Sequence, residues 1–336
     1  MARAQKHKWI FAARFRARAF GWKSQPAVTR VKEAVSEIKK VARKEPVLGA
    51  EGAVLFLQRV SPALVHVDGS SGAIGTAVYN AVQALVLIIA EAPADEATRD
   101  DWLVRLWQAY LDDEMPYIEV LAESWGDLCV TPERASQWAD DLLPMVRATW
   151  ASGTGYDTGA PACLSCLLAA GRHDELLALI ERAPYRWWFY RQFGVRALAA
   201  QGRIDEALAY AQASLGLNDS EAVLARSCEA ILLAVGRVEE AYAQYAIAAN
   251  QANSRLSTFR AIARKYPDKE KHQVLADLIA STPGEEGKWF ATARQPSSRS
   301  FPATALPTTL SVRYWAGCRG FAKRSDAVQR CLGNEA

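Results

Sequence analysis

The chain has 336 residues, half of them hydrophobic and 23% charged, which excludes wholesale disorder and allows two domains or one elongated array. Its net charge of +3 conceals a sorting by position: residues 1–45 carry 13 Lys/Arg against 3 Asp/Glu, residues 294–336 carry 7 against 2, and the stretch between carries 20 against 32. Two basic ends flank an acidic body, and six cysteines in a chain of this length exclude a disulfide framework and fit a reducing, cytoplasmic compartment.

Residues 1–26 read as a basic amphipathic segment. No acid precedes Glu33, and Phe11, Phe15, Ala19 and Trp22 recur at helical spacing. Arg14, Arg16, Arg18 and Lys23 form a candidate basic patch. It fits a transit-peptide mimic, a helix lying on an anionic membrane or a nucleic-acid arm. It fits equally a first helix docked on the acidic body with its rings in the interface. On the arm reading, deleting residues 2–24 abolishes anion binding and leaves the fold intact.

From residue 27 onward helical periodicity runs almost everywhere, and no strand alternation appears. Val28, Val31, Val35, Ile38 and Val41 mark one stripe, which Pro46 ends. The helix through "AEGAVLFLQRV" is expected to stop near Pro62. In "HVDGSSGAIGTAVYN" (66–80), three glycines precede a helix, but a phosphate-cradling loop needs a Gly-Lys-Ser/Thr that is absent. A serine cap and glycines that allow close packing are expected instead, with an anion site at the helix N-terminus as the alternative. The apolar run 81–90 is about half the length that a bilayer requires, so no transmembrane segment is expected. The segments 101–111, 116–129 and 133–146 follow with short polar joints, the pattern of stacked helix pairs.

The chemistry-bearing residues do not assemble into a catalytic set. Asp100-Asp101, Asp112-Asp113 and Asp140-Asp141 lack a second carboxylate one helical turn on, so a paired-aspartate magnesium site is rejected; helix-start acids account for most of them. Cys163 and Cys166 form a lone C-x-x-C without a second ligand pair, and core packing is favoured over metal or redox chemistry. The four histidines are scattered. No enzyme activity, metal or cofactor is expected.

A repeat is present. "GRHDELLALI" begins at Gly171, "GRIDEALAYA" at Gly202 and "GRVEEAYAQY" at Gly236, sharing the frame G-R-x-[DE]-E-[AL]. The glycine suits a left-handed helix end, and the acids suit the positive start of the next helix. An apolar helix precedes each glycine. The stretch "GRIDEALAYAQASLGLND" resembles the turn and second helix of a tetratricopeptide unit. The first helices depart from that pattern: Arg191, Gly194, Val195 and Leu198, then Ala225, Cys228, Glu229 and Leu232, stand where the family has Trp, Leu, Gly and Tyr. The resemblance covers residues 160–250, and "STFRAIARKYPDKEKHQVLADLIAS" extends its rhythm towards 290. The remainder, with "STPGEEGKWFATA", resembles an uncharacterised bacterial protein family that implies no activity.

The resemblance implies an all-α, right-handed α-α superhelix, HEAT-like over 27–150 and tetratricopeptide-like over 155–293, with a concave groove that binds peptides. Carried over from the turn glycines, the groove positions are Phe189, Gln192 and Arg196 in one unit and Val223, Arg226 and Ala230 in the next. The rings of "YRWWFYRQF" (185–193) enter the same wall, as a hot-spot patch or as core between repeats. Arg196 and Arg226 imply a preference for an acidic peptide or protein partner; nucleic acid, through the basic N-terminus, is the alternative partner. Periodicity stops after residue 293, and the tail 294–336 is expected to be disordered, as a frameshifted reading would be.

Overall fold

The computed structural model describes residues 7–153, 156–216, 220–284 and 288–289; these are all-α, with no strand among the described residues. The tail 294–336 lies outside them. The chain forms two compact units that divide between Pro184 and Tyr185.

The first unit starts with a five-residue helix, α1 (Ile10–Arg14), followed by α2 (Ser24–Ala42), α3 (Pro46–Leu64) and α4 (Ala73–Glu91). The last three pack on one another through small and branched side chains. Pro46 opens α3, where its missing N–H costs nothing, and the helix carries Pro62 in its last turn before ending at Leu64. The buried stripe of α4, Ile74, Ala77, Val78, Ala81, Val82, Leu85, Val86 and Ile89, begins well before the apolar run 81–90. The helix is therefore 19 residues long with a mean hydropathy of 1.8, and among the described residues it alone has the length and composition to cross a bilayer. At its start the N-cap residue is Gly72, at φ +68°, not a serine; the Ser71 hydroxyl before it accepts from the Ala73 N–H at 3.4 Å. Nor do Gly69, Gly72 and Gly75 serve close packing, since a Cβ at any of them would meet only open space.

α5 (Glu96–Leu111) is capped by Asp95, whose carboxylate accepts from the Thr98 N–H at 2.7 Å. A short 3-10 helix (Glu119–Ser124) leads into α6 (Trp125–Cys129), α7 (Pro132–Ala151), α8 (Ala160–Ala169) and α9 (His173–Ile180). Three indoles, Trp107 of α5, Trp125 of α6 and Trp138 of α7, meet edge to face with centroids 5.1–5.6 Å apart and join these helices. The acidic pairs are structural, though not chiefly as helix-start acids. Asp100 pairs with Arg134, Asp101 with Arg105 and Asp140 with Arg172. Asp113 accepts from the Ser61 hydroxyl and the Ile118 N–H, and burial pushes its carboxyl above the usual range.

Among the described residues the second unit is three successive helix pairs: α10 (Trp188–Ala200) with α11 (Ile204–Ala213), α12 (Glu221–Ala234) with α13 (Val238–Ala249), and α14 (Arg255–Lys265) with α15 (Lys271–Ala280). The repeat glycines end helices in one way. Gly171, Gly202 and Gly236 all have positive φ, at 72°, 77° and 79°. Each donates its N–H to the carbonyl three residues back, and the following arginine donates to the carbonyl five back: Arg172 to Leu167, Arg203 to Leu198 and Arg237 to Leu232, at 2.8–3.0 Å. This is a Schellman end, which satisfies carbonyls the helix would otherwise leave open. Only glycine adopts it without strain, so Gly236→Ala is expected to lower stability by about 1–2 kcal/mol, read as a shifted urea midpoint. An unchanged midpoint would remove the turn from what holds the pair.

Candidate binding surfaces

The motif arginines do more than cap. The side chain of Arg237 reaches Glu240 of its own pair (2.7 Å) and Asp205 of the preceding pair (2.6 Å). In the first unit Arg172 repeats the arrangement with Glu175 and Asp140, both at 2.6 Å. In both cases the acid lies two helices back and 32 residues before the arginine. At Arg237 the arginine and second acid of one motif copy and the first acid of the preceding copy thus form one clamp; Arg203 pairs with Glu206 of its own copy in the same way. Asp140 extends that register back to α7, where the sequence motif is absent.

Of the groove candidates, Phe189, Gln192 and Arg196 share one stripe of α10 and all three are half-buried. The Gln192 amide donates to the Phe189 carbonyl at 3.1 Å, and the Arg196 guanidinium donates to Gln192 Oε1 at 3.0 Å while lying over the Phe193 ring. These bonds hold the Gln192 amide and the Arg196 guanidinium in place along the stripe. Arg226 stands on α12, in an exposed stripe with Val223 and the half-buried Ala230, and makes no ion pair among the described residues. Among the described residues no hydrogen bond or ion pair joins Arg226 to the α10 trio. The aromatic run divides between the two expected roles. Trp188, Tyr190 and Phe193 are core, whereas Tyr185 and Trp187 stack in parallel (4.8 Å, 14°) and stay 46% and 40% exposed.

In the sequence Glu229 is visible only as a departure from the tetratricopeptide pattern. Its carboxylate is fully buried and accepts from the Tyr266 hydroxyl and the Asn250 amide, both at 2.7 Å, and from the Lys265 ammonium at 2.5 Å. Burial and that hydrogen bond push the Tyr266 phenol well above its ordinary value. The acid ties α12 to α14 and to the turn after it. Nothing local in the sequence signals this, because its three partners lie 21–37 residues downstream. Arg191 stacks on Tyr210 and donates to the Tyr210 hydroxyl at 2.7 Å. Cys163 and Cys166 are buried on α8, where burial raises both thiols, Cys163 to about 12. At neutral pH they are protonated packing groups.

The N-terminal segment is not one amphipathic helix. α1 ends at Arg14; beyond it Arg18 takes a left-handed conformation, φ +58°, and its N–H donates to the Pro62 carbonyl at 2.8 Å. Trp9, Phe11 and Phe15 are buried, and Phe11 and Phe15 meet Phe56 edge to face. The Trp9 ring occupies the space of a side chain at Gly52, where a Cβ would stand 2.2 Å from it. Trp22, expected with these rings, is 72% exposed. The segment runs along α2: the Glu37 carboxylate accepts from the Ile10 and Phe11 N–H groups, and Arg14 pairs with Glu33 at 2.7 Å. Of the patch residues, Arg14 is therefore spent on Glu33. Arg16 donates to the Ala13 carbonyl, and Arg18 and Lys23 are exposed.

Comparison with protein-family models, with curated proteins and with solved structures finds no match to this chain.

Proposed function

We propose that the chain is a right-handed α-α superhelix, HEAT-like over residues 27–150 and tetratricopeptide-like over 155–293, and that it serves in the cytoplasm as a scaffold binding a protein or peptide partner. The observation that carries this reading is the clamp recurring at one spacing, Arg172 to Asp140 and Arg237 to Asp205. Clamps in register join one helix pair to the next, which is how repeat arrays are built, and arrays present long surfaces to extended partners. Sequential packing of helix pairs in the second unit supports it. The reading needs no cofactor and no catalytic group.

Arg196 and Arg226, on the first helices of successive pairs, are the residues of this proposal that would meet a carboxylate-bearing partner, because a guanidinium binds carboxylate through two parallel hydrogen bonds. With a partner recovered from the native cell, the double variant Arg196→Ala/Arg226→Ala is expected to weaken binding by about 1–3 kcal/mol for each guanidinium–carboxylate hydrogen bond removed, with the melting temperature unchanged. Undiminished affinity in a titration calorimeter would take both residues out of the site.

A further inference from the structure

A row of cations without ion-pair partners among the described residues lies along α2, and the fold puts it there. The first 45 residues contain three acids, Glu33, Glu37 and Glu45. Glu33 and Glu37 lie one turn apart on the side of α2 that the N-terminal segment covers. Glu33 is taken by Arg14 and Arg30, and Glu37 by two backbone N–H groups. The apolar side, Ala27, Val28, Val31, Ala34 and Ile38, is buried. What remains outside is a third stripe, Gln25, Thr29, Lys32, Ser36, Lys39, Lys40 and Arg43, every member exposed. It holds four cations and no acid, and none of the four has an ion-pair partner among the described residues. At 1.5 Å per residue the stripe is about 27 Å long. Lys23 and the exposed indole of Trp22 stand at its N-terminal end.

We infer that this stripe binds single-stranded nucleic acid. Cations at helical spacing with the Ser36 hydroxyl between them, preceded by the Thr29 hydroxyl and the Gln25 amide, match a row of phosphates, and an exposed indole at the end of such a row is a platform for a base. A stripe of this length is enough for about four or more nucleotides. The alternative anionic surface, a bilayer, is disfavoured because a helix lying on lipid buries an apolar face in it, whereas the apolar face of α2 is already inside the protein. The inference concerns the first unit alone and stands apart from the groove reading.

The test uses the full chain and a fluorescent oligothymidylate of about 12 nucleotides, followed by anisotropy across a salt series. Binding is expected with a log–log salt slope of about −3, and the triple variant Lys32→Gln/Lys39→Gln/Arg43→Gln is expected to flatten it by about 2, since each cation contributes about 0.7 on single strands. Trp22→Ala is expected to weaken binding on the order of tenfold, the effect of removing one base–ring stack. All these substitutions are on exposed side chains, and circular dichroism checks that the helices persist. No binding at low salt, or a slope that the triple variant leaves unchanged, overturns the inference. So does duplex DNA binding as tightly with no loss in Trp22→Ala, polyglutamate displacing the oligonucleotide at equal charge, or binding to phosphatidylserine vesicles in the absence of binding to the oligonucleotide.

Discussion

Lys265→Met is expected to destabilise the second unit by about 3 kcal/mol or more. Glu229 sits in α12 with its side chain wholly out of solvent, and Lys265 is the charge that balances it; the lysine itself is 24% exposed. Removing the ammonium leaves a carboxylate in a place that water does not reach, with the Tyr266 hydroxyl and the Asn250 amide as its remaining donors. Removing both charges is a different operation. Glu229→Leu/Lys265→Met eliminates the buried ion together with its partner, and is expected to recover much of the loss, because apolar replacements of a buried pair are often neutral. Urea unfolding of the single and double variants measures both. If Lys265→Met costs less than about 1 kcal/mol, typical of a solvent-screened pair, the two neutral donors carry the carboxylate by themselves.

Deleting residues 2–24 is expected to destabilise the first unit severely, the reverse of what the basic composition of that segment suggests. Three buried rings leave with it, and Phe56 loses its two edge-to-face neighbours. Phe15→Ala alone is expected to cost about 3–5 kcal/mol, the usual loss when a buried ring becomes a methyl group. Arg14→Gln, by contrast, should cost under about 1 kcal/mol, because the Arg14–Glu33 pair is solvent-exposed. Thermal melts by circular dichroism separate the two contributions: the effect of Phe15→Ala should not change with salt, and any effect of Arg14→Gln should shrink. An intact melting transition in the deletion variant would show that the segment is an accessory arm.

The pattern of one apolar side chain per helical turn makes the helical class legible, because burial of one stripe repeats with the period of the backbone that carries it. The turn glycines are legible for the same reason: a left-handed residue between two helices has one inexpensive solution. Pairings between distant charges are not. Glu33 and Glu37 look like ordinary surface acids of a helix, and only the path of residues 10–14 assigns them. Arg16, Arg18 and Lys23 look like a patch, yet the exposed stripe of Lys32, Lys39, Lys40 and Arg43 is the face that folding leaves without acids. Glu229 looks like a poor match to a repeat pattern, because its reason lies in the pair of helices after it. The stripe of α4 is longer than its apolar run suggests because Ala77 and Val78, which follow a glycine loop in the sequence, belong to the helix that begins there.

The clamp also bears on how such a chain could lengthen. Asp205 sits just after one turn glycine and Arg237 just after the next. A segment running from one to the other carries an acceptor near its start and a donor at its end. A tandem duplication of that segment would place a fresh aspartate 32 positions ahead of each arginine, so the inserted copy arrives with its own fastening and the old junction is re-formed unaltered. Growth by whole units then requires no matching change elsewhere in the chain, whereas gain or loss of a few residues between Asp205 and Arg237 would part that arginine from its acid.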